Sequence, residues 1–236
     1  MWNEQDEDGR GVLRVGSVEC GAAEPADGAA KAGHVLSPIF VLNGAEVEGL
    51  ASDNSDTGPI VLADVATREV RTLQSTWAHD EIVRSPDGQS IATVLGESLL
   101  LVDVERDEAV VVWAGNVDTE VCSTNDPDLS LDCFVEPHNP QFSPDGSKLV
   151  FGARPTFGDN YNAELRVLDL ATGAVTVLAE REYHQDQAFF GHDSESVYWV
   201  RDFDTIVAGR SGAGEREVVY RGAVNGLSVA WPGLAR

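Results

Sequence analysis

Short apolar runs follow one another along the whole chain, separated by clusters of Ser, Pro, Asp, Asn and Gly. Runs of this length bounded by turn residues predict β-strands. "SIATVL" from Ser90 and "KLVFGA" from Lys148 are almost continuously apolar and carry β-branched or aromatic members. Such strands belong in sheets covered on both faces. Before each of these two runs stands Ser-Pro-Asp-Gly, as Ser85, Pro86, Asp87 and Gly88, and as Ser143, Pro144, Asp145 and Gly146. Pro presets φ, Asp bonds back to the backbone and Gly supplies a positive φ, so the tetrapeptide specifies a tight hairpin.

The turns are periodic. Asn43-Gly44, Asp87-Gly88, Asp145-Gly146 and a degenerate Asp193-Ser194 lie 44, 58 and 48 residues apart. The long interval contains "CSTNDPDLSLDC", Cys122 to Cys133, which reads as an insertion into a unit of roughly 45 residues. Downstream of each turn comes a second signal, in "IVLADVATREVRTL", "LLLVDVERDEAVVV" and "LRVLDLATGAVTVL". Asp64, Asp103 and Asp169 share one slot there, between a third and a fourth strand, where a carboxylate can accept from turn N–H groups. Gly16 and Gly209 read as degenerate versions of it. Each unit therefore has four short strands, two around the first turn and two around the Asp turn. Four-stranded units of this period, arranged radially, predict an all-β fold, a β-propeller of antiparallel blades.

The units fall at about 33–76, 77–115, 136–182 and 183–222 in a single domain, with 116–135 as the acidic insertion. Residues 1–32 form a partial unit and 223–236 start or close a blade. "MWNEQDEDGRGVLRVGS" aligns with the second and third strands of the 136–182 unit and places Met1-Trp2 at the end of a second strand. "NGLSVAWPGLAR" reads as a first strand running into its turn. Either the ends close a small five-unit ring, or the chain is part of a propeller of six or more blades.

"PQFSPDGSKLVF" together with "ELRVLDLATGAVTVL" resembles the repeat of the TolB-type, WD-repeat-like β-propellers of bacteria. The unit with Ser85 to Gly88 matches well, and those with Asn43 and Asp193 match in part. The resemblance implies the fold over nearly the whole chain. It favours the larger ring, because six or more blades is the family habit and a second strand is missing at the N-terminus. It says little about activity, since the motif consists of turn and core residues. Similar propellers serve as interaction scaffolds, as gating domains of prolyl-oligopeptidase-like serine peptidases, or as lyases.

Charge narrows the partners. Sixteen basic against forty acidic residues give a net charge of −24, which opposes contact with nucleic acid or an anionic lipid surface. No apolar run is long enough to span a bilayer. The expected partner is a protein, or a cationic or small ligand. Cys122 and Cys133 close a short loop, and a disulfide between them would suit an oxidising compartment, two unlinked thiols a cytosolic one; the expectation is a chain outside the cytoplasm, periplasmic, secreted or at the cell surface, with its export signal outside this sequence.

Four histidines stand before or within the predicted first strands, which line a propeller's channel: His34, His79, His138 and His184. Convergent imidazoles would suit Zn²⁺ or Mn²⁺, and the resemblance to propeller lyases with channel metal sites implies the same. The competing reading has each His bonding the neighbouring blade. In the insertion, Asp126, Asp128, Ser130 and Asp132 alternate like the start of a Ca²⁺ loop, but Leu131 stands where the sharp turn needs Gly and no Glu closes the loop. A solvated acidic loop is the expectation, with no cofactor. No Gly-x-Ser-x-Gly elbow, phosphate loop or dinucleotide fingerprint occurs, so no catalytic residue is assigned. The expected role is a non-catalytic binding scaffold.

Overall fold

The computed structural model describes residues 2–5, 11–15, 24–25, 34–35, 39–40, 46–52, 58–64, 70–78, 81–115, 135–155, 163–183, 188–201 and 205–222. They form antiparallel sheets that follow the predicted units. Blade 1 contains β4 (His34–Val35), β5 (Ile39–Phe40), β6 (Glu46–Ser52), β7 (Gly58–Asp64) and β8 (Val70–Ala78). Blade 2 is β9 (Ile82–Arg84), β10 (Ser90–Leu95), β11 (Ser98–Asp103) and β12 (Glu108–Ala114). Blade 3 is β13 (Val135–Phe142), β14 (Lys148–Pro155), β15 (Ala163–Asp169) and β16 (Val175–Tyr183). Blade 4 is β17 (Ala188–Phe190), β18 (Ser196–Arg201), β19 (Thr205–Arg210) and β20 (Ala213–Arg221). An N-terminal sheet has three strands among the described residues, β1 (Trp2–Gln5), β2 (Gly11–Val15) and β3 (Glu24–Pro25).

The repeat is visible in the register. Lys148 opposes Asp169, Ser90 opposes Asp103 and Glu46 opposes Asp64, so the Asp slot always faces the first residue of the second strand. In blade 4 that place belongs to Arg210, opposite Ser196, and Gly209 lies one residue earlier inside the strand. The expected Gly209 slot is thus off by one, because the alignment followed glycine rather than pairing. A second correction concerns the N-terminus. Trp2 begins β1 and pairs with Arg14, while Gln5 pairs with Gly11, so Trp2 opens a second-strand segment instead of ending one. The inner strand of blade 1 comes in two pieces, β4 and β5, both paired with β6.

Strand faces alternate between neighbours, as the pleat requires. Ile91 of β10 joins Ile60, Leu62 and Leu73 of blade 1, while Ala92 and Val94 join Phe142, Leu149 and Phe151 of blade 3. Val150, Leu165 and Val167 of blade 3 then pack with Phe190, Val197 and Trp199 of blade 4. Each core is therefore an interface between two blades, and a fully buried large aliphatic or aromatic side chain there contributes about 1.5–3 kcal/mol. The tilted Trp113–Phe151 pair, with centroids 5.1 Å apart, joins blades 2 and 3, and Arg166 lies 5.4 Å above the Trp113 ring. The first strand β13 touches its counterparts β9 and β17, which puts first strands on the inner wall. The fourth strands lie outermost and leave Val110, Val111, Val175, Val177, Val218 and Tyr220 exposed.

The insertion leaves from Gly115 and returns at Val135. A Cβ on Gly115 would run into the Val135 carbonyl oxygen, so the two ends meet backbone to backbone and only glycine fits. β13 takes in residues 135–138, which leaves 116–134 as the insertion.

Candidate functional site

The two Ser-Pro-Asp-Gly turns are built identically. Gly88 N–H donates to Ser85 C=O (2.9 Å) and Gly146 N–H to Ser143 C=O (2.8 Å), with φ of 75° and 74° at the glycines. The Ser85 hydroxyl donates to Asp87 Oδ1 and accepts from Ser90 N–H, and Ser143 does the same with Asp145 and Lys148 N–H. Asp87 is held below the usual carboxylate range by the Ser85 hydroxyl and then Gln89 N–H. At Asp145, burial works against the charge, yet the hydroxyl of Ser143 and the N–H and hydroxyl of Ser147 bring it to about 2. The degenerate turn keeps the geometry by other means. Ser194 adopts φ 59° in place of glycine, and Asp193 accepts directly from Ser196 N–H and hydroxyl, which lower it to about 2.

Asp103 and Asp169 cap the outer turns as expected. Asp103 accepts from Glu105 and Arg106 N–H, and Asp169 from Ala171 and Thr172 N–H and the Thr172 hydroxyl. Arg106 N–H is the leading cause of the depressed Asp103 carboxyl, and the Thr172 hydroxyl of the depressed Asp169. Four residues on, the chain turns left-handed, at Gly173 (φ 72°) in blade 3 and at Asp107 (φ 54°) in blade 2. Asp107 reaches across to blade 1. Gln74 N–H donates to its Oδ2 at 2.8 Å and Ser75 N–H to its Oδ1 at 3.0 Å. Those N–H groups are free of the ladder because Val61 pairs with Thr72 and Pro59 with Trp77, so residues 73–76 face only Ile60.

Other contacts between blades use the same few polar groups. Asp145 N–H donates to the Ser194 hydroxyl, and Lys148 pairs with Glu195 at 2.6 Å while the Ser211 hydroxyl donates to the other Glu195 oxygen. Arg71 donates to the Val104 carbonyl.

His138 sits on the inner strand β13, opposite Gly152. Its Nδ1 lies 3.2 Å from Glu81 Oε1, just before β9 of the preceding blade, and Asn139 N–H donates to Glu81 Oε2 at 2.5 Å. Asn139 has φ 47° where the ladder is irregular, between His138 and Gln141, and this turns its N–H toward Glu81. Nε2 is buried, makes no hydrogen bond and lies 3.6 Å from Glu136 Oε2. One imidazole is thus held between two carboxylates on the channel-side strands. Chemically the arrangement ties blade 2 to blade 3 and places negative charge at the inner rim.

His34 lies in β4 opposite Ser52. Ser52 corresponds to Arg154 in blade 3, so His34 stands two ladder positions from the place of His138, about 7 Å along the strand. His79, His184, Cys122, Cys133, Asp126, Asp128 and Asp132 lie outside the described residues. Among the described residues, no group of three or more His, Cys, Asp or Glu side chains is placed to hold a metal ion. Glu81, Glu136, Asn139 and Asp107 were not singled out in the sequence. Asn139 before Pro140 was the one available signal, since Asn tolerates positive φ.

No protein-family model and no curated protein matches the chain in sequence. Solved structures do match in fold. TolB from Acinetobacter baumannii is 17% identical with a TM-score of 0.59 over 91% of this chain and 50% of its own. An oligogalacturonate lyase in complex with manganese is 17% identical, with a TM-score of 0.55 over 77% and 51%. A chain of a nidogen–laminin complex is 13% identical, with a TM-score of 0.55 over 85% and 70%. The chain spans about half the length of the first two. At these identities the likeness establishes a TolB-like β-propeller fold alone. Among the described residues, no helix is long and apolar enough to cross a membrane.

Proposed function

We propose that this propeller is a non-catalytic binding scaffold, working outside the cytoplasm, that presents an acidic surface to a protein partner or cationic ligand. The observation that carries this reading is how the described polar groups are used. Asp87, Asp103, Asp107, Asp145, Asp169, Asp193 and Glu195 are bonded into turns or blade contacts, so recognition falls to the loops and the inner rim. The net charge of −24 and the Glu81–His138–Glu136 rim favour a basic partner surface. The nidogen–laminin complex is a precedent for protein recognition on this fold. The experiment is affinity capture with the wild type and with a variant carrying Asp126→Ala, Asp128→Ala and Asp132→Ala. A specific partner band lost from the variant, with an unchanged melting transition, supports the insertion as the recognition element. Equal capture by both chains overturns it.

A second reading, a metal-dependent lyase or hydrolase, draws on His138 at the inner wall and on the manganese-bound lyase of similar fold. Near-stoichiometric Zn or Mn in the purified chain, lost on replacing His138 and His184, would favour it over the scaffold.

A further inference from the structure

The two seams that flank blade 2 differ at their outer ends. Between blades 1 and 2 the outer end is laced shut, by Asp107 on the N–H groups of Gln74 and Ser75 and by Arg71 on the Val104 carbonyl. Between blades 2 and 3 no hydrogen bond or ion pair joins β12 to β16 among the described residues. Contact there comes from Trp113, which meets Phe151 and lies beneath Arg166.

Pairing shows what lines this open end, because residues opposed across a ladder point to the same face of a sheet. Val110 opposes Leu101, which packs on the core between blades 2 and 3, and Val175 opposes Leu168, which belongs to it. Val177 opposes Arg166, which in turn opposes Phe151 of the same core. Val110 therefore looks toward blade 3, while Val175 and Val177 look back toward blade 2. They remain 56%, 40% and 43% exposed. Facing valines on two outer strands make an apolar groove, with Trp113 at one end. At the other end stands Glu108, two residues before Val110 on the same face of β12, exposed and without an ion pair among the described residues.

We propose that this groove is a docking site for an extended, basic segment of a partner protein. An apolar side chain of the segment sits between Val110 and Val177, and an Arg or Lys two residues along pairs with Glu108. The spacing matches, since residues two apart in an extended chain share a face about 7 Å apart, as Glu108 and Val110 do on β12. Charge complementarity selects this occupant. A net charge of −24 repels a second copy of the chain, an acidic segment and an anionic lipid surface alike, whereas the unpaired Glu108 carboxylate attracts a cation. Burial of the valines supplies affinity, and the charge pair at the rim fixes partner and direction. The groove lies on outer strands, apart from the insertion and the inner rim, so it adds a second surface to the proposed scaffold and is tested apart from the first.

Amide chemical shifts of the isotope-labelled 236-residue chain, titrated with three synthetic peptides, test the site. The first peptide repeats Ser-Leu-Ser-Arg; serine replaces leucine in the second, and glutamate replaces arginine in the third. The expected result is saturable shifts at residues 108–113 and 175–177 with the first, and affinity at least about tenfold weaker for the others. Val177→Ser should weaken the first peptide by at least about fivefold, and Glu108→Lys should reverse the preference between the first and third. The chain carrying Asp126→Ala, Asp128→Ala and Asp132→Ala should bind the first peptide as the wild type does. Binding lost from that chain would assign the response to the insertion and overturn the groove. So would the absence of shifts at these residues, an equal response to the second peptide, or a preference that Glu108→Lys leaves unaltered. Self-association of the chain alone, abolished by Val177→Ser in sedimentation, would make a second copy the occupant and also overturn the proposal. If Val177→Ser lowers the melting transition, Glu108→Lys decides, because that side chain is exposed.

Discussion

Asp107 offers the sharpest energetic test, because one side chain carries both a backbone penalty and a contact between blades. Its φ of 54° lies in the left-handed region, where an L-residue costs about 1 kcal/mol more than glycine. Its carboxylate accepts Gln74 and Ser75 N–H, the two donors released by the irregular pairing of β8. Hydrogen bonds to a charged acceptor contribute about 1.5–3 kcal/mol when sheltered, and here Gln74 is exposed, so about 2 kcal/mol for the pair is the working figure. Asp107→Ala loses the bonds and keeps the backbone penalty, for a net cost of about 2 kcal/mol. Asp107→Gly loses the same bonds but relieves the penalty, leaving about 1 kcal/mol. Urea unfolding at pH 7, with midpoints compared at constant slope, should therefore rank wild type above glycine and glycine above alanine. An alanine variant as stable as the wild type would show that the reach to blade 1 contributes nothing. Equal glycine and alanine variants would refute the backbone argument.

Two further outcomes are expected. Asp145 and Asp193 are lowered from 3.8 to about 2, so their contribution is fully present above about pH 4 and is lost as pH falls toward 2. Both are exposed and screened, which limits the loss to roughly 1 kcal/mol each; urea midpoints at pH 6 and pH 2.5 measure it, and replacing both with Asn should flatten the profile across that window. Gly115→Ala drives a methyl group into the Val135 carbonyl, and a drop of at least about 2 kcal/mol is expected in thermal unfolding; an unchanged transition would mean that the two strand ends do not abut.

The radial architecture was legible because its determinants are local. Ser85-Pro86-Asp87-Gly88 and Asp103 bond within a few residues of themselves, so their chemistry can be read from the string. Contacts between blades were not legible. Asp107 meets Gln74 across 33 residues, and Asn139 meets Glu81 across 58, at irregular points of the ladder that no period marks. The slot at Gly209 and the role of Trp2 were misplaced for the opposite reason: residue type was matched where pairing decides. The histidines illustrate both limits, since spacing from the turn suggested equivalence while the ladder separates His34 from His138 by two positions.

The meeting of Gly115 and Val135 has a consequence for how such a molecule can diversify. Because the departing and returning strands already touch, the loop between them closes on a fixed doorway, and its length enters the folding free energy only logarithmically, about 0.6 kcal/mol for each doubling. A change in the length of that segment therefore costs little in chain entropy at the two strand ends that hold it. Insertions and deletions between Gly115 and Val135 are thus the length changes the radial framework absorbs at least cost.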